Sequence, residues 1–152
     1  MTVTTHAHVG LTVDSQDRYR WITLASIGLL AVAAGMAALG LPQFDLHGPL
    51  HWFGIMDPLC GGTRAARYTA LGEWDLAWKY NPLGIVTVIA VGLLALRAGV
   101  GVLTRHWITL DITWTRRGRW VAVTIAALLV IALEIRQQGR AELLMAGTFT
   151  LV

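Results

Sequence analysis

The run WITLASIGLLAVAAGMAALGL, residues 21–41, contains no charged side chain. A helix needs about 20 predominantly apolar residues to cross the hydrocarbon core of a bilayer. This stretch supplies them without a break. Arg18 and Arg20 stand immediately before it. Its Gly28, Ala34, Gly35 and Ala38 would let a neighbouring helix backbone approach closely, as small residues do between membrane helices. The first span is therefore predicted over residues 21–42, with that small-residue face turned to a partner.

Two further spans follow from the same reasoning. Asn81 and Pro82 suit an N-cap and a first helical position. The next 14 residues, 83–96, are uncharged. The second span is predicted over residues 82–103, with Arg97 snorkelling to the headgroups. The third is predicted over residues 120–136, with Glu134 and Arg136 at its end. Residues 43–81 are too polar to cross. They read as an interfacial or re-entrant loop of short helices, anchored by Phe44, Trp52 and Phe53 and containing one helix that ends at Gly72. Residues 1–17 read as a polar tail, and residues 137–152 as a surface segment after the break at RQQGR. The expected fold is an all-α integral membrane protein, with residues 18–152 forming one membrane domain.

Composition agrees. Apolar residues make up 55% and charged residues 14% of the 152, whereas soluble domains carry about 25% charge. The first apolar block is longer than a signal-peptide core and reads as an uncleaved anchor. The positive charge gathers between Arg97 and Arg119, with five arginines against Asp111. Residues 43–81 hold Arg64, Arg67 and Lys79 against Asp45, Asp57, Glu73 and Asp75. By the positive-inside rule the arginine-rich segment and the N-terminus are cytoplasmic and residues 43–81 face outward. No basic patch interleaved with stacking aromatics points to nucleic acid. One cysteine, Cys60, makes no internal disulfide and no multi-cysteine zinc site.

The elements CGGTRA, residues 60–65, and NPL, residues 81–83, carry a resemblance. They are similar to an uncharacterised bacterial membrane family, domain of unknown function 2752. Its pattern runs C-P-x-C-G-x-T-R-A, then a Gly-Asp pair, then Asn-Pro-Leu opening a membrane helix. Cys60, Gly61, Thr63, Arg64 and Ala65 match the first element, and Asn81, Pro82 and Leu83 the last. Gly72 and Asp75 stand for the Gly-Asp pair. Asp57 replaces the first cysteine, while Pro58 keeps the proline. The resemblance covers residues 42–103 and implies a small multi-span protein of the bacterial cytoplasmic (inner) membrane. It implies no activity, and with Asp57 in place of a cysteine it implies no paired-thiol chemistry.

The candidate residues divide between structure and chemistry. Cys60 is expected as a small apolar residue in a tight turn; the alternative is a thiolate favoured by Arg64 and a helix N-terminus. Gly61 and Gly62 permit positive φ, Thr63 could cap a short helix, and Arg64 and Arg67 could hold a phospholipid phosphate or another anion. The leading expectation is instead that Arg64 pairs with Asp57, Glu73 or Asp75 and fixes the loop. His47 and His51, with Asp57, have metal-compatible spacing, but Gly48 and Pro49 between them break the helix it needs. His6, His8 and His106 carry less. No catalytic residue, metal or cofactor is expected.

Three spans leave little private interior. The leading expectation is a non-catalytic accessory or assembly subunit bound to other integral membrane subunits, as in a respiratory oxidase or supercomplex. The alternative is a small membrane enzyme or carrier for an anionic lipid-linked substrate, using Arg64 and Arg67. A thiol sensor at Cys60 is a third reading.

Overall fold

The computed structural model describes residues 8–40 and 53–146. The expected anchors Phe44 and Trp52, the pair His47 and His51, and His6 lie outside the described residues. The chain runs β1 (His8–Asp14), α1 (Arg20–Leu39), α2 (Gly62–Leu71), α3 (Trp74–Tyr80), α4 (Pro82–Thr104), β2 (Trp107–Thr113), α5 (Arg116–Gln138) and α6 (Ala141–Ala146). It is mostly helical. Helices α1, α4 and α5 are long and apolar enough to cross a membrane, and α2 and α3 are the short helices expected between the first two spans.

Helix α4 starts as its sequence requires. The Asn81 side chain accepts the Leu83 N–H, and Pro82 occupies the first turn. Helix α2 ends at Gly72, whose φ of 80° lets its N–H turn back to the last carbonyls, as left-handed glycine caps do. Helix α3 has Asp75 in its first turn and Lys79 in its last, both favourable to the helix dipole. Helices α1 and α4 lie side by side. Thr23, Ser26 and Ala33 are buried on α1, and Val91, Ala98 and Gly101 on α4. Helix α5 stands apart: none of its apolar stretch is buried.

Four expectations need correction. Residues 8–14 are not part of a polar tail; they pair antiparallel with β2, Leu11 opposite Leu110. Between the second and third spans, where no element is expected from the sequence, residues 107–113 form β2. The third long helix starts at Arg116 and runs to Gln138, extending the expected 120–136 at both ends; Thr115 caps it, accepting the Gly118 N–H at 3.0 Å. The segment after Gln138 is not confined to the surface: Leu144 of α6 is buried with Met56 and Cys60. The strands carry little local signal, because Val9, Leu11 and Val13 alternate over only one short element and their partners lie about a hundred positions away.

Candidate functional site

The matched elements meet at one end of the bundle, where residues 56–81 form a folded clasp. The Asp57 carboxylate accepts the Leu59 N–H at 2.7 Å, and the Asp57 carbonyl accepts the Cys60 N–H at 3.0 Å. Gly61 then turns the chain with φ 75°, a conformation that favours glycine. A Cβ there would lie 2.8 Å from Leu144 Cδ2 and 3.2 Å from the Tyr80 carbonyl oxygen. Gly62 opens α2 in ordinary helical geometry. Thr63 lies inside the helix and does not cap it; Gly61 holds the cap position, with no side-chain hydrogen bond.

Helix α2 crosses the start of α4 at Ala65 and Gly84. Ala65 is fully buried, and a Cβ on Gly84 would lie 2.6 Å from the Ala65 Cβ and 3.0 Å from the Gly62 carbonyl oxygen. Backbone atoms cannot yield as a flexible side chain can. Gly84→Ala should therefore lower stability by about 1–3 kcal/mol, the usual cost of overpacking, measured as a fall in thermal midpoint in detergent.

Asn81 is the centre of the clasp. It is fully buried, and its amide donates to the carbonyls of Pro58 and Cys60, both at 2.9 Å, while its oxygen accepts Leu83 N–H at 2.9 Å. The C-terminal end of α5 closes the other side. Gln137, also fully buried, donates to the Cys60 and Tyr80 carbonyls. Arg136 donates to the Trp78 carbonyl and lies over the Trp78 ring, and Arg140 donates to the Lys79 carbonyl. Gln138 accepts the Met56 N–H at 3.0 Å and donates to the Gly54 carbonyl at 3.1 Å. An irregular backbone close to lipid needs every carbonyl met by a donor, because hydrocarbon supplies none. These side chains supply donors to the carbonyls of Gly54, Pro58, Cys60, Trp78, Lys79 and Tyr80.

The arginines do the same work. Arg64 donates to the Leu144 carbonyl at 3.2 Å and lies over the Tyr80 ring, which stacks on Tyr68 at 5.5 Å. Arg67 donates to the Met36 carbonyl near the end of α1 at 3.0 Å. The expected pairing of Arg64 with Asp57, Glu73 or Asp75 is replaced by a carbonyl and an aromatic face. Residues 136–140 are more than the break that RQQGR suggests. They are a run of donors, and the signal for them was four amide or guanidinium side chains within five residues, directly after an apolar span.

Cys60 is buried. Burial pushes its thiol pKa up, and the nearby Asp57 carboxylate adds to the effect, so the reactive thiolate is disfavoured. Cys60 should label with maleimide only after denaturation; rapid labelling of the folded protein would contradict this placement. Gly28 and Gly35 on α1 have open space where a side chain would stand, and Ala34 and Ala38 are exposed.

A second cluster sits near the other end of α4. Arg97 donates to Asp17 at 3.1 Å, to Thr23 Oγ1 at 3.2 Å and to the Ile108 carbonyl, and lies over the Tyr19 and Trp107 rings. Its side chain is 15% exposed and that of Asp17 11%. Arg97 does not snorkel; it ties α4 to β2 and to the approach to α1. Burial pushes the Asp17 carboxyl up, but hydrogen bonds from Thr23, the Tyr19 N–H and Arg97, with the Arg97 charge, outweigh it, and the pKa settles below its ordinary value.

Residues 49–95 match the family described as Protein of unknown function (DUF2752). The match takes in the clasp from Met56 to Asn81 and the first half of α4, so the resemblance carried by CGGTRA and NPL is shown over that segment. No curated protein and no solved structure matches the chain.

Proposed function

We propose that this chain is a non-catalytic accessory or assembly subunit of a larger bacterial membrane complex, with a respiratory oxidase or supercomplex as a candidate host. It would lie in the cytoplasmic membrane with the N-terminus inside and the clasp outward. The observation that carries this reading is α5. A 23-residue apolar helix is fastened to the clasp at its C-terminal end and buries nothing along its apolar stretch. Packing against helices of other subunits would complete it, as would packing on α1 through Gly28, Ala34, Gly35 and Ala38. The clasp supports the same reading. Asn81, Gln137, Arg64 and Arg67, the polar side chains best placed for chemistry, donate to main-chain carbonyls instead.

The test is purification through a tag on this protein in a gentle detergent. The expected result is co-elution with other integral membrane proteins in fixed ratio. Elution alone, at the size of a monomer or homodimer, contradicts the proposal.

A further inference from the structure

The two-stranded ribbon is inside out. The pairs Val9 with Ile112, Leu11 with Leu110 and Val13 with Ile108 share one face. All six side chains are exposed, from 42% for Ile112 to 73% for Leu11. The polar positions occupy the opposite face, whose middle rests on the protein while Thr12 and Thr113 stay exposed. Thr109 is fully buried, Asp111 pairs with Arg18 at 2.9 Å and accepts from Thr12, and Trp107 lies on Gly101 of α4. A sheet with one face in water does the reverse, with apolar side chains in and polar side chains out. This inversion needs an apolar surrounding on the outer face.

Position and charge say which surrounding. Two residues, Arg105 and His106, separate α4 from β2, and two more, Trp114 and Thr115, separate β2 from α5. Each link reaches about 7 Å at most, so the ribbon cannot leave the ends of two spanning helices. Nor does it extend straight away from the membrane. Trp107 meets α4 at Gly101, and the next residue's carbonyl receives Arg97, one helical turn nearer the middle of the span. Beside it Arg105, Arg116, Arg117 and Arg119 are exposed, as are Trp114 and Trp120. Arg116, Arg119, Trp120 and Val123 border one shallow, open depression along α5. Cations with tryptophans at the ends of spans fit lipid headgroups.

We propose that the β1–β2 ribbon is a membrane-surface element. Its aliphatic face lies at the boundary between headgroups and acyl chains of an anionic leaflet, and Arg105, Arg116, Arg117 and Arg119 hold the phosphates of anionic phospholipid. The inference does not depend on the accessory-subunit reading, since it concerns lipid and holds for a solitary chain as well.

The experiment uses the full chain in nanodiscs of mixed phosphatidylglycerol and phosphatidylcholine. Nitroxide labels are placed at Leu11→Cys and, separately, Ile112→Cys, both exposed positions. The parent chain, whose Cys60 is buried, is treated in parallel. The expected result is faster relaxation of both labels by oxygen, which concentrates in lipid, than by a water-soluble nickel complex. Greater access to nickel would put the face in water and overturn the proposal. Shielding from both would put protein there, a second copy or another chain, and would overturn it equally. In the second arm, Arg116→Gln and Arg119→Gln should each reduce the preference for spin-labelled phosphatidylglycerol over phosphatidylcholine about fivefold. An unchanged preference would remove the arginines from the assignment.

Discussion

Asn81→Ala should lower the stability of the folded protein by about 3–5 kcal/mol, summing the loss of an N-cap and of donors to two carbonyls. The Cys60 carbonyl keeps Gln137, but the Pro58 carbonyl loses the bond it receives from Asn81. Asn81→Asp separates the two roles. It keeps an oxygen for the Leu83 N–H yet sets a carboxylate against the Pro58 and Cys60 carbonyls, so it should rescue nothing. Because Asn81 and Gln137 share the Cys60 carbonyl, Asn81→Ala and Gln137→Leu should combine non-additively. Thermal unfolding in a mild detergent measures all three. An Asn81→Ala protein as stable as the parent would mean that the clasp does not hold the loop.

Arg97→Met is the second large effect. It removes the partner of Asp17 and leaves a carboxylate that is 11% exposed without its cation. Both residues are partly buried, so breaking the pair costs about 1–3 kcal/mol, less than the 3–5 kcal/mol of a fully buried pair. Adding Asp17→Asn to Arg97→Met should recover a substantial part, because the stranded charge is then gone. A snorkelling arginine would give a small loss and no such recovery. The same pair sets a pH dependence. The folded pKa of Asp17 lies below its unfolded value, so its stabilisation is fully present above about pH 4, the ordinary aspartate value. It is lost as pH falls from there through the folded value, where the native carboxylate takes up its proton. The parent should therefore lose stability in acid by an increment that the Asp17→Asn, Arg97→Met double variant lacks.

Much of this architecture was legible because it rests on local chemistry. The uncharged run after Arg20 makes a helix on its own terms, and Asn81 before Pro82 marks a helix start. Gly72 marks a helix end. The CGGTRA and NPL elements named the family segment and marked the two sides of the clasp. What stayed hidden depends on distant partners. Nothing near Arg64 in sequence announces the Leu144 carbonyl, and Asp57, Glu73 and Asp75 were nearer and of opposite charge. Gln137 looked like a helix breaker's neighbour, since its acceptors, the Cys60 and Tyr80 carbonyls, become available only once residues 56–81 have folded. Arg97 looked like any arginine near a span end, because Asp17 lies 80 positions away. For the ribbon a second reason joins the distance between its strands: its aliphatic side chains do not enter a protein core, so their alternation has no core to predict.

On the proposed reading, other polypeptides complete the spans and the clasp serves shape. Photo-crosslinking in native membranes tests it most directly, with a photoreactive residue at Leu129 midway along α5, where the native side chain is 65% exposed, and separately at the exposed Ala34 of α1. A discrete adduct with a different integral membrane protein is expected at both positions. Adducts with lipid alone, or only with a second copy of this chain, would contradict it.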